Sequence, residues 1–155
     1  MNNDLTYNDF KSGKRLYQGR LSDSFSFNGR EVFKVQANDF YIRADSHLLP
    51  IVGFSAEIEI YRIHDRLVLA FLSNHFYTFV EPIKVIESQT AKQFDGFEPG
   101  KEYELKNGQI WKQVNGSTIK NQLSIGNVKI IKDETMIVDT WDFHPTVKLI
   151  SSRSI

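Results

Sequence analysis

Ala56-Glu57-Ile58-Glu59-Ile60-Tyr61-Arg62-Ile63, the turn His64-Asp65-Arg66, and then Leu67-Val68-Leu69-Ala70-Phe71-Leu72 decide the fold class of this chain. The isoleucines take every second position while Glu57, Glu59 and Tyr61 take the others, and side chains that alternate in this way line opposite faces of a β-strand. One face is therefore buried and the other wet. After the turn the alternation gives way to a continuous apolar run, which needs cover on both faces and marks the centre of the N-terminal core.

Working outward, the same strand signals recur, broken every ten residues or so by Gly, Asn, Asp or Pro. Ser24-Phe25-Ser26-Phe27, Asn28-Gly29 and Glu31-Val32-Phe33-Lys34-Val35 form a hairpin signature, because Asn-Gly accepts the positive φ angles of a type I′ turn. Arg15 to Leu21 and Phe40 to Ala44 are further short strands. Phe76 to Val80, followed by Ile83 to Ile86, extends the meander, with Pro82 at an edge or bulge. Helix signals are sparse: Thr6 to Lys11, and Ser88 to Phe94 with Ser88 as N-cap and Gly96 as terminator, read as short helical connectors.

Of the 20 aromatic residues, 14 precede position 80, so the composition changes near residue 90. The expected organisation is an aromatic-rich antiparallel β-meander or barrel over residues 1–90 and a second small β domain over residues 94–155. There, Glu102-Tyr103-Glu104-Leu105, the Asn107-Gly108 turn and Gln109 to Val114 form a hairpin, followed by strands at 118–125, 127–131, 135–138 and 146–150. Short strands at this density fit an SH3-like barrel. The fold class expected is all-β.

Phe97-Glu98-Pro99-Gly100-Lys101-Glu102-Tyr103-Glu104-Leu105-Lys106-Asn107-Gly108-Gln109-Ile110-Trp111-Lys112-Gln113 resembles a module of many small uncharacterised bacterial proteins, some carried on mobile gene cassettes. In that module an aromatic and a glycine precede a strand, and Asn-Gly-Gln, an aliphatic residue, Trp, any residue and Gln follow. The likeness extends over residues 94 to 152, with Val128, Ile130, Met136, Val138, Val147 and Leu149 in the later strands. This chain departs from it by inserting Trp141-Asp142-Phe143-His144-Pro145. The resemblance implies fold and a bacterial origin, and carries no activity with it.

Composition narrows the function. The 19 basic and 19 acidic residues cancel, and the balance holds locally, so the positive field of a nucleic-acid binder is missing. Nucleic acid is accordingly disfavoured as a partner. With no cysteine there is no disulfide framework, thiolate metal site or cysteine nucleophile. The start lacks a secretory signal, and the apolar run at Leu67–Leu72 is far short of a membrane span of about 20 residues, so the expectation is a cytoplasmic protein with no membrane partner. Gly-x-Ser-x-Gly, Gly-x-x-x-x-Gly-Lys and Gly-x-Gly-x-x-Gly are absent, and no cofactor is expected.

Candidate chemistry is thin. Glu57 and Glu59 share a strand face, so their carboxylates would stand roughly 6–7 Å apart, compatible with acid–base work, but a solvated strand face is the plainer account. Asp142 and His144 could pair in an extended segment, since Pro145 favours extension at His144. His64 sits with His47 and His75 in turns, without two-His metal spacing, and no metal is expected. If the protein is an enzyme, these are its candidate residues. The aromatic fraction of 13% carries more weight. Phe40 and Tyr41, Tyr61, and Phe76, Tyr77 and Phe79 are more rings than one short meander needs, so some are expected to be uncovered. An exposed aromatic strand surface would serve a binding or assembly protein, a homodimer or one with a protein partner. An apolar ligand pocket in the N-terminal domain and a stacking platform for single-stranded nucleic acid are the alternatives.

Overall fold

A computed structural model describes residues 13–35, 39–45, 56–73, 76–139 and 143–152. Its described secondary structure is entirely β, in antiparallel sheets, and the chain divides into two compact units, residues 1–83 and 84–155.

The first unit holds β1 (Lys14–Arg20), β2 (Asp23–Phe27), β3 (Arg30–Lys34), β4 (Phe40–Arg43), β5 (Glu57–Ile63), β6 (Arg66–Phe71) and β7 (Phe76–Pro82). They form one sheet in the order β1-β5-β6-β7-β4-β3-β2. The Asn28-Gly29 hairpin is present, with φ of 51° and 77°. In β6, Val68, Leu69, Ala70 and Phe71 are all fully buried, as a run without alternation requires.

The edge strands β1 and β2 are joined by Leu21 and Ser22 alone, so the sheet has to curl. Leu21 N–H donates to Ala56 O at 2.9 Å and Ser22 N–H to Lys34 O at 2.8 Å, tying the corner to both ends of the strand order. Phe33 and Phe71 lie three strands apart in that order, which in a flat sheet is roughly 14 Å. Their ring centroids are 5.9 Å apart. Curling thus gathers Leu21, Phe33, Ile58, Ile60, Leu69 and Phe71 into one concave core. The ladder itself stays open: β1 and β2 do not pair, and no sheet among the described residues closes into a barrel, which corrects that part of the expectation.

The second unit contains β8 (Val85–Gln89), β9 (Phe94–Phe97), β10 (Glu102–Glu104), β11 (Gln109–Gln113), β12 (Ile119–Ser124), β13 (Asn127–Ile131), β14 (Thr135–Val138) and β15 (Val147–Ser152). They make three small sheets, β14-β13-β8, β10-β11-β15 and β12-β9. The helical connector expected at Ser88–Phe94 is corrected: Ser88 and Gln89 pair with Val128 and Asn127, and β9 begins at Phe94. Thr6–Lys11 lies outside the described residues. The division between units falls after Ile83, ahead of the 88–94 stretch, because β8 spends its pairing on β13.

One core serves all three sheets, with Phe94, Phe97, Tyr103, Leu105, Trp111, Ile130, Met136 and Val147 buried in it. The Asn-Gly-Gln-x-Trp-x-Gln motif is a polar brace for that core. Asn107 Nδ2 donates to Gln109 Oε1 at 3.0 Å, the same oxygen accepts the Trp111 indole N–H at 3.1 Å, and fully buried Gln113 accepts the Tyr103 hydroxyl at 2.7 Å. Gln113 Nε2 in turn donates to Asn115 O at 2.9 Å. At Gly96 (φ 129°) a Cβ would stand 1.9 Å from the Ile119 carbonyl oxygen, so β9 and β12 meet this closely only because the position is glycine.

Candidate functional site

Three of the six rings nominated as a contact surface are buried within the subunit and three are partly exposed. Phe40, Tyr61 and Phe79 are 3%, 5% and 3% exposed, and Tyr41, Phe76 and Tyr77 are half-buried. A curled sheet has two apolar faces to fill, which the count of interior positions for a simple meander misses. Tyr61 and Phe79 join Val68 and Ala70 in a second cluster on the opposite face from Ile58 and Leu69. Ring pairs and cations complete the cover: Tyr77 meets Phe79 edge-on at 5.9 Å, the Arg66 guanidinium lies 3.5 Å from the Phe79 centroid, and Lys34 Nζ lies 5.7 Å from that of Phe40. Phe40, Tyr61 and Phe79 therefore offer no exposed contact surface, and Tyr41, Phe76 and Tyr77 offer only a partial one.

Glu57 and Glu59 do share a face, but each is matched with an arginine of the neighbouring strand. Exposed Glu57 accepts from Arg20 Nη2 at 3.1 Å. Buried Glu59 accepts from Arg15 Nη1 at 2.9 Å and from the Tyr61 hydroxyl at 2.8 Å. His64 is exposed at the β5–β6 turn with φ of 56°, about five residues and roughly 16 Å along the strand from Glu59. His144 is half-buried, while Asp142 lies outside the described residues, as do His47 and His75. Within the first unit, Glu59 and His64 are thus not brought to one place. Among the described residues no three His, Asp or Glu gather as a metal site.

A buried polar cluster went unforeseen. Arg43, 6% exposed, points into the concave face of the first sheet, where its Nε donates to Asp45 Oδ1 at 2.9 Å and to Thr78 Oγ1 at 3.0 Å. Asp45 Oδ2 accepts the Phe79 N–H at 2.8 Å. Burial pushes the Asp45 carboxyl up, but the Phe79 N–H, the Thr78 hydroxyl and the Arg43 guanidinium outweigh it and hold the group below the usual carboxylate range. Arg43 Nη2 is buried without a hydrogen-bond partner. The available signals were an arginine at an inward position of the Phe40–Ala44 run and a threonine in the apolar Phe76–Val80 run.

Two features of the second unit remain open to a partner. The first is a cleft of about 440 Å³ where residues 92–95 splay from residues 101–104. Ala91 N–H donating to Glu104 O at 2.8 Å pins one end, and Lys101 Nζ, bonded to Asp95 Oδ1, pins the other. Phe94 and Tyr103 lie beneath, and burial, above all, pushes the Tyr103 phenol up to about 12. Lys101 lowers the Asp95 carboxyl. The second is β15, an edge strand on which Leu149 and Ile150 are each 43% exposed. Leu16, on edge strand β1 of the first unit, is 42% exposed.

Comparison with known proteins gives no match among family models, curated proteins or solved structures. No helix among the described residues is long and apolar enough to cross a membrane.

Proposed function

We propose that this is a binding and assembly protein that works as a homo-oligomer, at its simplest a homodimer, with open strand edges in place of aromatic rings as the contact surface. The observation that carries the reading is that three of the large apolar side chains left exposed, Leu16 on β1 and adjacent Leu149 and Ile150 on β15, lie on edge strands, while Val114 and Ile125 are exposed in connecting segments. Edge strands with apolar side chains are templates for pairing with another chain. An enzyme reading draws less support, since Glu57 and Glu59 are matched with arginines and His64 stands apart. Light scattering over a concentration series tests the proposal: the mass is expected to rise toward twice 18.0 kDa, and a mass fixed at 18.0 kDa up to high micromolar concentration overturns it.

The second reading is a polar small ligand in the cleft between residues 92–95 and 101–104, supported by the enclosure of that cleft at both ends. Amide shifts confined to Lys92–Asp95 in a fragment screen would support it, and their absence would speak against it. The SH3-like character of residues 94–155, the bacterial cassette resemblance and a cytoplasmic location belong to the same proposal. The short antiparallel strands and the Asn107-Gly108 hairpin support the first of these.

A further inference from the structure

We infer that the cleft between residues 92–95 and 101–104 takes a free tripeptide in extended form, held by its main chain, an inference that rests on the small-ligand reading above. The cleft is a ladder left unfinished. Lys106 N–H donates to Gln89 O at 2.8 Å, Ala91 N–H donates to Glu104 O at 2.8 Å, and Thr90 bridges Leu105 between them. Bonded positions of an antiparallel pair recur every second residue, so the next would join Gln93 to Glu102. No such bond is made, and the two segments part there.

The main chain of Glu102 is nevertheless turned toward the gap. Leu105 N–H donates to Gln109 O at 2.8 Å and Gln113 N–H to Lys101 O at 2.9 Å, so residues 101, 103 and 105 face β11 while 102 and 104 face away. In the order β10-β11-β15 no strand lies on that side of β10. The Glu102 N–H and C=O therefore line one wall, and Gln93 lines the other. A peptide main chain carries donors and acceptors along both edges, which is what two such walls require. Beneath them, buried Phe94 and Tyr103, with ring centroids 5.8 Å apart, make an apolar floor.

Length and direction follow from the ends. The Ala91–Glu104 bond closes one, and Lys101 Nζ, bonded to Asp95 Oδ1 and to Gly96 O at 3.4 Å, closes the other. The wall between them spans roughly 10 Å, about three extended residues. Its volume of about 440 Å³ is at the small end of ligand pockets, roughly 300–1,000 Å³. Lys101 and Asp95 are matched with each other, whereas Lys92, at the Ala91 end, has no ion pair among the described residues. Lys92 is thus the cation for the peptide's carboxylate, and the peptide runs antiparallel to residues 92–95 and parallel to β10. In a parallel pair the Glu102 N–H meets the first residue's C=O and the Glu102 C=O meets the third residue's N–H. The central side chain then points outward like Glu102, and the outer two turn toward the rings.

The test is an amide-resolved titration of the full chain with trialanine, which is expected to shift the Gln93 and Glu102 amide protons. Methylating the third peptide nitrogen removes the donor to Glu102 and is expected to weaken binding by about tenfold or more. Trialanine amide, without the carboxylate, should bind about two- to fivefold more weakly, a difference that disappears in Lys92→Met. Ser-Ser-Ser-Ala-Ala-Ala should also bind more weakly, because Lys101 closes the amino end. If small polar fragments shift Lys92–Asp95 but trialanine does not, or if the methylated peptide binds equally well, the peptide assignment is wrong while the small-ligand reading stands. Equal binding of the longer peptide overturns the free tripeptide in favour of a protein's C-terminal tail. If neither fragments nor peptides move these amides, both readings fall.

Discussion

The Thr78 hydroxyl donates a 2.7 Å hydrogen bond to Asp45 Oδ1 across 33 residues of sequence, and both groups hold Arg43 Nε. A guanidinium in an apolar sheet is stable only while such partners stay, since a buried charge without them is heavily penalised. The cluster therefore sets terms for the first unit's stability.

Removing the carboxylate should be costly. Asp45→Ala leaves Arg43 buried without its closest counter-charge, and the expected loss is about 3–5 kcal/mol in urea unfolding. Thr78→Val keeps the shape and the carboxylate and should lose less, about 1–3 kcal/mol.

The same carboxylate gives a pH dependence. Its folded pKa lies below the unfolded value of about 3.9. Around and below that value the unfolded chain binds the extra proton, so this contribution is present above about pH 4 and fades as pH falls through the folded pKa. Urea midpoints between about pH 2 and 5 should fall more steeply in the wild type than in Asp45→Asn.

At the alkaline end Tyr103 acts with the opposite sign. Its phenol titrates at about 12 in the folded chain against about 10 when unfolded, so the folded state holds the proton longer. Its contribution is whole below about pH 10 and is lost as pH rises through 12. Difference absorbance at 295 nm should show a late-titrating component from Tyr103 and Tyr41, whose phenols burial raises, and Tyr103→Phe should remove the part near pH 12.

Gly96→Ala is expected to separate β9 from β12. Its Cβ would meet the Ile119 carbonyl oxygen at 1.9 Å, and φ of 129° is strained for any L side chain. A loss of about 1–3 kcal/mol or more, read as a lower thermal midpoint of Trp111 emission, would bear this out, and an unchanged midpoint would contradict it.

What the sequence disclosed was local. Ile58 and Ile60 alternate with Glu57, Glu59 and Tyr61 within one strand, and Asn28-Gly29 carries its own turn geometry, so the strands and that hairpin were legible. Ser88 to Gly96 carries helix-terminus residues, yet partners near 127–128 decide its structure, and nothing nearby announces them. The buried rings were misjudged because curvature belongs to the sheet: no residue near Phe33 says that Phe71 will meet it. Arg43, Asp45 and Thr78 become a site only when β4 and β7 are adjacent. On the candidate site, sequence reading found the paired acids and missed the arginines that match them.

The corner at Leu21 and Ser22 also bears on the order of events in folding. β1 has to find β5 across the 44 residues that separate Arg15 from Glu59, whereas β2 and β3 meet through a tight turn. Loop-closure entropy makes the distant pairing the slow one. A stopped-flow record on this unit should show hairpin 23–34 protected early and the 14–20 amides last, with the two-residue corner clasped only when that final strand arrives.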